Sequence, residues 1–307
     1  MDDTAFEYDD LYELLHAWYY SRIHYIIAEH VIKKYRPKTV LDVACGTGLQ
    51  TLLHSAGGAY SIGIDIAKSL IHTAKNKKLQ YDRNHGLELF HVYFDFVEEY
   101  NKIIAQCLNI NGNFTFQQPD FMITDAGKLP FKDCSFDHIN FVGALSFMDN
   151  YDAALSEIKR VLKTGGTFFV DAESRWSFHI MWRIINYFLN DFLKEHTSIN
   201  DIRSLLLTHP AYSTNASYPY KAFGKLLSVE GRFFTLYELK HTLKDLGFSV
   251  LGRWSVHSAT SFIPWAYLNI GHPSDNLKKL FSLLAGIEEK LPCFLPGLGL
   301  AVLFQKQ

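Results

Sequence analysis

The feature that most constrains this chain is an eight-residue run, Leu41-Asp42-Val43-Ala44-Cys45-Gly46-Thr47-Gly48. The stretch from Thr39 to Ala44 is short, apolar and β-branched, which suits a buried parallel strand. It leads into a glycine turn at Cys45-Gly46-Thr47-Gly48, and a helix is expected from about Leu49. Glycines in such a turn permit positive φ and close approach of the backbone to a ligand. The start of the following helix offers free N–H groups. A second short strand, Ser61 to Ile64, stops at Asp65, and Ala67 to Lys77 reads as a helix. Strand, turn, helix, strand, acid, helix is a βαβ unit, so an open α/β sheet is expected, with its ligand at the carboxyl ends of the strands.

Charge narrows the ligand. A dinucleotide fingerprint wants a third glycine near position 51, where this chain has Thr51. Asp42 would repel a pyrophosphate but suits a positively charged group. Asp65 stands where an acid accepts both hydroxyls of a ribose, and Ile66 beside it is placed to cover one face of the base. Asp125-Ala126 closes a further expected strand, Phe121 to Asp125, and an acid there can accept a base amino group. Taken singly, each acid is readily explained as a cap or turn residue. Three acids in order at successive strand ends favour a binding site.

The rest of the chain continues the alternation. Ser135 to Val142 is expected as a strand, Ala153 to Leu162 as a helix stopped at Gly165-Gly166, and Thr167 to Asp171 as the next strand. Thr235 is placed to cap a helix from Tyr237 to Leu246, closed by Gly247, and the last strands are Phe248 to Ser255 and Leu298 to Phe304. This divides the 307 residues into an N-terminal helical cap (1–36), a core (37–171) with an insertion at about 81–119, a helical insertion (172–234) and the end of the core (235–307) with an insertion at about 257–296. A helix from Leu89 to Ile110 is expected in the first insertion.

The stretch from Thr39 to Asp171 resembles the class I methyltransferases, particularly the group with the ubiquinone/menaquinone-type and glycine N-methyltransferase-like enzymes. The matching pieces are Val40 to Gly48, Gly63-Ile64-Asp65-Ile66, Asp125-Ala126 with Leu129-Pro130-Phe131, Ser135-Phe136-Asp137, and Ile158 to Gly166; Phe234 to Leu239 and Gly247-Phe248 continue it. The resemblance implies a Rossmann-like α/β fold, a seven-stranded and mostly parallel sheet whose last strand is antiparallel, and S-adenosyl-L-methionine as cofactor. Its sulfonium and ammonium groups match the sign of Asp42. It also implies that Asp65 holds the ribose, that Asp125-Ala126 sits by the adenine, and that main-chain groups around Ala44, Phe141 and Val142 hold the methionine part. In glycine N-methyltransferase-like proteins an arginine about twenty positions before the first motif pairs with the cofactor carboxylate. Arg22 stands there, with Tyr19 and Tyr20 beside it; the alternative is a surface arginine on an amphipathic helix.

A small-molecule acceptor, apolar or aromatic, is expected, since the run Ala144-Leu145-Ser146-Phe147-Met148 is mostly apolar and the insertions carry many aromatics. Ser146, Glu173 and Arg175 follow strand ends on the face where such an acceptor would lie, with Ser146 and Glu173 the candidates for catalysis; His138 and His179 are less well placed. The alternatives are a protein or nucleic-acid methyltransferase and a non-catalytic scaffold that binds the cofactor. A formal net charge of −2 gives no electrostatic footprint for nucleic acid. The site reads Asn140-Phe141-Val142-Gly143, unlike the proline-rich box of enzymes that methylate adenine or amide nitrogens. Four cysteines without zinc-ligand spacing argue against a metal. With no basic leader and no apolar span, a cytoplasmic chain is expected. The insertions either cover the acceptor or pair two copies of the chain.

Overall fold

In the computed structural model the βαβ unit is the centre of a seven-stranded sheet. The structure describes residues 14–80, 117–189, 198–222, 225–263, 274–290 and 296–307. Its strands are β1 (Thr39–Val43), β2 (Tyr60–Asp65), β3 (Asp120–Ile123), β4 (Phe136–Phe141), β5 (Leu162–Glu173), β6 (Thr214–Ala222), β7 (Lys225–Phe233), β8 (Phe248–Val256) and β9 (Gly299–Lys306). The main sheet runs β3-β2-β1-β4-β5-β9-β8. The pairs from β3 to β5 are parallel, and β9 lies antiparallel between β5 and β8. The expected class and the antiparallel last strand are both present.

The helices are α1 (Leu14–Ile27), α2 (Leu49–Ala56), α3 (Lys68–Gln80), α4 (Tyr151–Val161), α5 (Phe178–Phe188), α6 (Ile199–Leu207), α7 (Leu236–Asp245) and α8 (Asp275–Lys290). α1 continues through a π-helical stretch, Ala28–Ile32, and a last turn, Lys33–Tyr35. One face of the sheet packs on Ile23, Ile26 and Val31 of the N-terminal helix and on Leu52 and Leu53 of α2. The other packs on Leu155, Ile158 and Val161 of α4 and Leu239 and Leu243 of α7. Covered on both faces, β1 has Val40, Leu41 and Val43 at zero exposure, which is why it reads as a continuous apolar run. Thr235 caps α7 as its sequence suggested, its side chain accepting from the N–H of Glu238 at 3.1 Å.

The insertion at 172–234 departs from the helical expectation. Its first half is helical, α5 and α6, but its second half is an antiparallel hairpin, β6 on β7, in register from Thr214↔Phe233 to Ala222↔Lys225. The hairpin joins the main sheet by a bridge between Ser174 and Phe234. Arg175 fixes α6: its guanidinium donates to the carbonyls of Leu205, Thr208, His209 and Tyr212 at 2.6–2.8 Å. A cation on the bare carbonyls of a helix C-terminus is the favourable end of the helix dipole. The expected helix Leu89 to Ile110 lies outside the described residues, as do Cys107 and Cys293.

Candidate active site

Three loops meet at the carboxyl ends of β1, β2 and β4. After β1 the backbone is left-handed at Ala44 (φ 54°), Gly46 (φ 55°) and Gly48 (φ 85°). Such a φ costs a non-glycine residue about 1–2 kcal/mol, so the strain at Ala44 needs fixed surroundings. The next N–H, of Cys45, donates to the Ile64 carbonyl at 2.8 Å, and Gly48 N–H donates to the Cys45 carbonyl at 2.9 Å. The two glycines differ in what they face. A Cβ on Gly48 would lie 2.6 Å from the Phe121 ring, whereas one on Gly46 would meet nothing within 4 Å.

The acids after β1 and β2 hold this turn. Asp65 is buried; its Oδ2 accepts from Gly46 N–H at 2.9 Å and its Oδ1 from Ala67 N–H at 2.9 Å. Asp42 lies behind the turn and accepts from the Thr51 hydroxyl at 2.6 Å. Burial raises the Asp42 carboxyl to about 7 against the lowering effect of Thr51, and Asp65 adds to the rise. Thr51, which stands where a dinucleotide site needs glycine, is therefore the partner of the acid.

After β4, Gly143 is left-handed (φ 70°). Its N–H donates to Asp171 Oδ1 at 2.6 Å, and the Tyr19 hydroxyl donates to Asp171 Oδ2 at 2.6 Å. Burial raises the Asp171 carboxyl to about 6 and pushes the Tyr19 phenol well above its usual range, with Asp171 and Glu173 adding to the latter. Tyr20 closes over Gly143, its hydroxyl oxygen 2.7 Å from where a Cβ would stand. The three loops enclose a cavity of about 150 Å³, lined among others by Tyr20, Ala44, Gly46, Asp65, Val142 and Gly143.

The residues singled out by sequence divide into groups. Ala44, Gly46, Asp65 and Val142 line the cavity. Asp42, Gly48 and Phe141 shape it from behind, Phe141 being fully buried in the core. Ile66, beside Asp65, leaves 73% of its surface exposed. Asp125 is exposed after β3, its carboxylate accepting from Gly127 N–H at 2.8 Å, and Ala126 is buried. Of the two tyrosines on α1, Tyr20 lines the cavity and Tyr19 sits behind it on Asp171.

Arg22 is 2% exposed, which removes the surface-arginine alternative. Its guanidinium lies 5.2 Å from the Tyr25 ring centroid and close enough to Glu288 of α8 to oppose the rise that burial imposes on that carboxyl. Glu288 also accepts from the N–H of Ser258 and the hydroxyl of Thr260, both at 2.9 Å. Ser146 and Glu173 are brought together, Glu173 N–H donating to Ser146 Oγ at 2.8 Å. The carboxyl Oε2 of Glu173 is buried and has no hydrogen-bond partner among the described residues. Burial, with Asp171 second, raises that carboxyl to about 8. Arg175 is committed to α6. His138 is buried in the core between Thr167 at 2.7 Å and Asn140 at 2.8 Å, and burial lowers it to about 4. His179 is likewise buried, and lowered to about 3. Among the described residues there is no group of His, Cys, Asp and Glu able to hold a metal, and no helix long and apolar enough to cross a membrane.

Residues 41–170 match the model of a methyltransferase domain family. An uncharacterized protein of Methanocaldococcus jannaschii is 26% identical over 85% of this chain and 79% of its own length. A demethylmenaquinone methyltransferase of Symbiobacterium thermophilum is 26% identical over 59% of this chain, which spans 63% of that relative. Among solved structures, a Pyrococcus horikoshii protein matches with a TM-score of 0.51 at 17% identity, over 94% of this chain and 91% of its own. A Listeria monocytogenes protein assigned to the S-adenosylmethionine-dependent methyltransferases gives a TM-score of 0.51 at 14% identity, over 94% and 99%.

Proposed function

We propose, from the match of residues 41–170 to a methyltransferase domain family, that the protein is a class I S-adenosylmethionine-dependent methyltransferase and that it methylates a small molecule with an apolar or aromatic body. The observation that carries the reading is the cavity rim. Left-handed backbone at Ala44, Gly46 and Gly143 leaves main-chain groups open at the ends of β1 and β4, and a buried carboxylate from β2 ties into the same turn. A Cβ on Gly46 would point into that open space, so the rim fits an elongated ligand lying against backbone.

In this reading Asp65 holds the ribose and Ile66 covers the adenine, whose amino group lies toward Asp125 and Ala126. The backbone of Ala44, Gly46, Phe141 and Val142 holds the amino-acid end. Asp42 and Asp65 supply negative charge for a cationic ligand, and a cation beside them would draw the raised Asp42 carboxyl back to its charged form. The placement of Arg22 beside Glu288 favours a role in docking the N-terminal helix over direct contact with the cofactor. Tyr19 does the same through Asp171, leaving Tyr20 to touch the ligand.

The cofactor supplies a methyl group already activated on sulfonium, so the chain has mainly to align the acceptor and keep out water. Tyr20, Val142 and Ala144 give the cavity its apolar wall, and the α5–α6 and β6–β7 insertion stands over the end of β5. The demethylmenaquinone methyltransferases among the relatives act by name on a quinone, which supports an aromatic acceptor. The near-neutral charge favours this over a nucleic-acid substrate. The test is transfer of label from methyl-labelled S-adenosylmethionine to pooled small metabolites, reduced quinones and phenols included, beside pools of protein and RNA. Label in a small-molecule pool supports the reading; label only in protein or RNA overturns it.

A further inference from the structure

A hydroxyl or C–H acceptor must lose a proton on methylation, and a group must take it up. Glu173 ends β5, two residues beyond Asp171, so both side chains leave the strand on the same face. Asp171 is bonded to Gly143 of the cavity rim and to Tyr19, the neighbour of cavity residue Tyr20. The Glu173 main chain is pinned on both sides, its N–H on Ser146 Oγ at 2.8 Å and its carbonyl accepting from Phe234 N–H at 2.7 Å. Yet its carboxyl Oε2 is buried with no partner among the described residues. Buried polar atoms are normally bonded, and an orphan in a folded protein calls for an explanation such as chemistry.

We propose that Glu173 takes up the proton released by the methyl acceptor, and that the acceptor is accordingly a hydroxyl compound or a C–H acid rather than a tertiary amine or thioether, whose lone pair needs no deprotonation. This rests on the methyl-transfer reading above. The acceptor's oxygen or carbon forms the new bond to methyl as the sulfur–methyl bond breaks toward sulfur, and the acceptor proton is left on the Glu173 carboxylate, to pass later to solvent. Ser146 is a positioning residue that fixes the backbone from which this carboxyl projects. The titratable groups facing it are Asp171 on its own strand and Tyr19 on α1; both are acids, so neither favours its ionised form. Burial and Asp171 hold the carboxyl near 8, a base strength matched to weakly acidic hydroxyls and useful near neutral pH.

The test compares wild type with Glu173→Gln and Glu173→Asp, all loaded with S-adenosylhomocysteine. Infrared difference spectra of wild type against Glu173→Gln should show a protonated carboxyl at about pH 6.5 that ionises toward about pH 9. A carboxylate already ionised at the lower pH overturns the proposal. With a hydroxyl acceptor, kcat should rise with pH through this range in wild type. Glu173→Gln should lower kcat about a hundredfold or more and abolish that rise, with the affinity for S-adenosylhomocysteine within about twofold of wild type. Glu173→Asp should keep the rise at reduced kcat. A Glu173→Gln enzyme with unchanged kcat and pH profile overturns the assignment, as does an acceptor that proves to be a tertiary amine or thioether. Failure of wild type to bind S-adenosylhomocysteine, read by isothermal titration calorimetry, overturns the underlying reading instead and is told apart from failure of the proposal in that way.

Discussion

The two glycines of the first turn give a paired prediction in which stability and binding separate. At Gly48, alanine must adopt φ 85° and bring its methyl to 2.6 Å from the Phe121 ring, with Ala74 Cβ at 3.1 Å. The left-handed backbone costs about 1–2 kcal/mol, and forcing the ring aside adds about 1–3 kcal/mol. Gly48→Ala should therefore lose about 2–5 kcal/mol of folding stability in all. At Gly46 the same substitution meets φ 55° and open space, so only the backbone cost of about 1–2 kcal/mol applies. Its methyl, however, projects into the cavity where the ligand is proposed to lie. Gly46→Ala should weaken S-adenosylhomocysteine at least about tenfold, some 1.4 kcal/mol. Urea unfolding without ligand gives the first quantity, and calorimetry on the folded variants gives the second. If Gly46→Ala binds as wild type, or is as destabilised as Gly48→Ala, the assignment of one glycine to packing and the other to the ligand is wrong.

Three further outcomes are expected. Asp65→Ala should weaken S-adenosylhomocysteine by about 1.5–3 kcal/mol, read by calorimetry; unchanged affinity in a folded variant removes Asp65 from the site. Arg22→Ala and Glu288→Gln should each lower the Tm, while the double variant loses less than the sum, with a coupling of about 0.5–3 kcal/mol; strict additivity would show that the two do not interact. The third concerns pH. Burial lowers His24 to about 3, His138 to about 4 and His179 to about 3 in the folded chain, so their contribution is present above an unfolded value of 6.5 and is lost as pH falls below it. Burial raises Asp42 to about 7, Asp171 to about 6 and Glu173 to about 8, so theirs is present below the ordinary carboxyl range and is lost as pH rises through these values. Between about pH 4 and 6.5 the two sets offset, and above about 6.5 the acids act without opposition from these histidines. Urea unfolding should thus show stability falling from about pH 6.5 to 8, with a shallower fall in Glu173→Gln; a rise over that window contradicts the account.

What could be read from sequence was what is local in the chain. Strand, glycine turn, helix and terminal acid follow within twenty-seven residues from Thr39 to Asp65, so the βαβ unit and the acids at its edge were legible. Partnerships across the chain were not. Thr51 was legible only as a missing glycine, because its hydroxyl meets Asp42 through the rotation of α2. Tyr19 and Tyr20 are adjacent on one helix, about 100° apart, and which of them faces the cavity depends on how α1 docks. Asp171 was visible as a strand end, but its bonds to Gly143 and Tyr19 arise in the tertiary structure. The β6–β7 hairpin is not legible as strands because the tyrosines of Thr214–Ala222 continue the aromatic run of the helices before it. Thr214, Tyr218 and Tyr220 before Phe223-Gly224, and Leu226, Leu227 and Val229 after it, are nevertheless residues that suit two strands about a glycine turn. Ser146 and Glu173 shared a strand-end argument, and the sheet register brings them into contact.

The central claim is that the cavity at the ends of β1, β2 and β4 holds S-adenosylmethionine. Isothermal titration tests it most directly, with S-adenosylmethionine, S-adenosylhomocysteine and NAD titrated into the same protein at neutral pH in buffers of differing ionisation enthalpy. The account predicts binding of the two adenosyl compounds and none of NAD, with proton release on binding the cationic compound as Asp42 regains its charge. Binding of NAD, or of neither adenosyl compound, would contradict it.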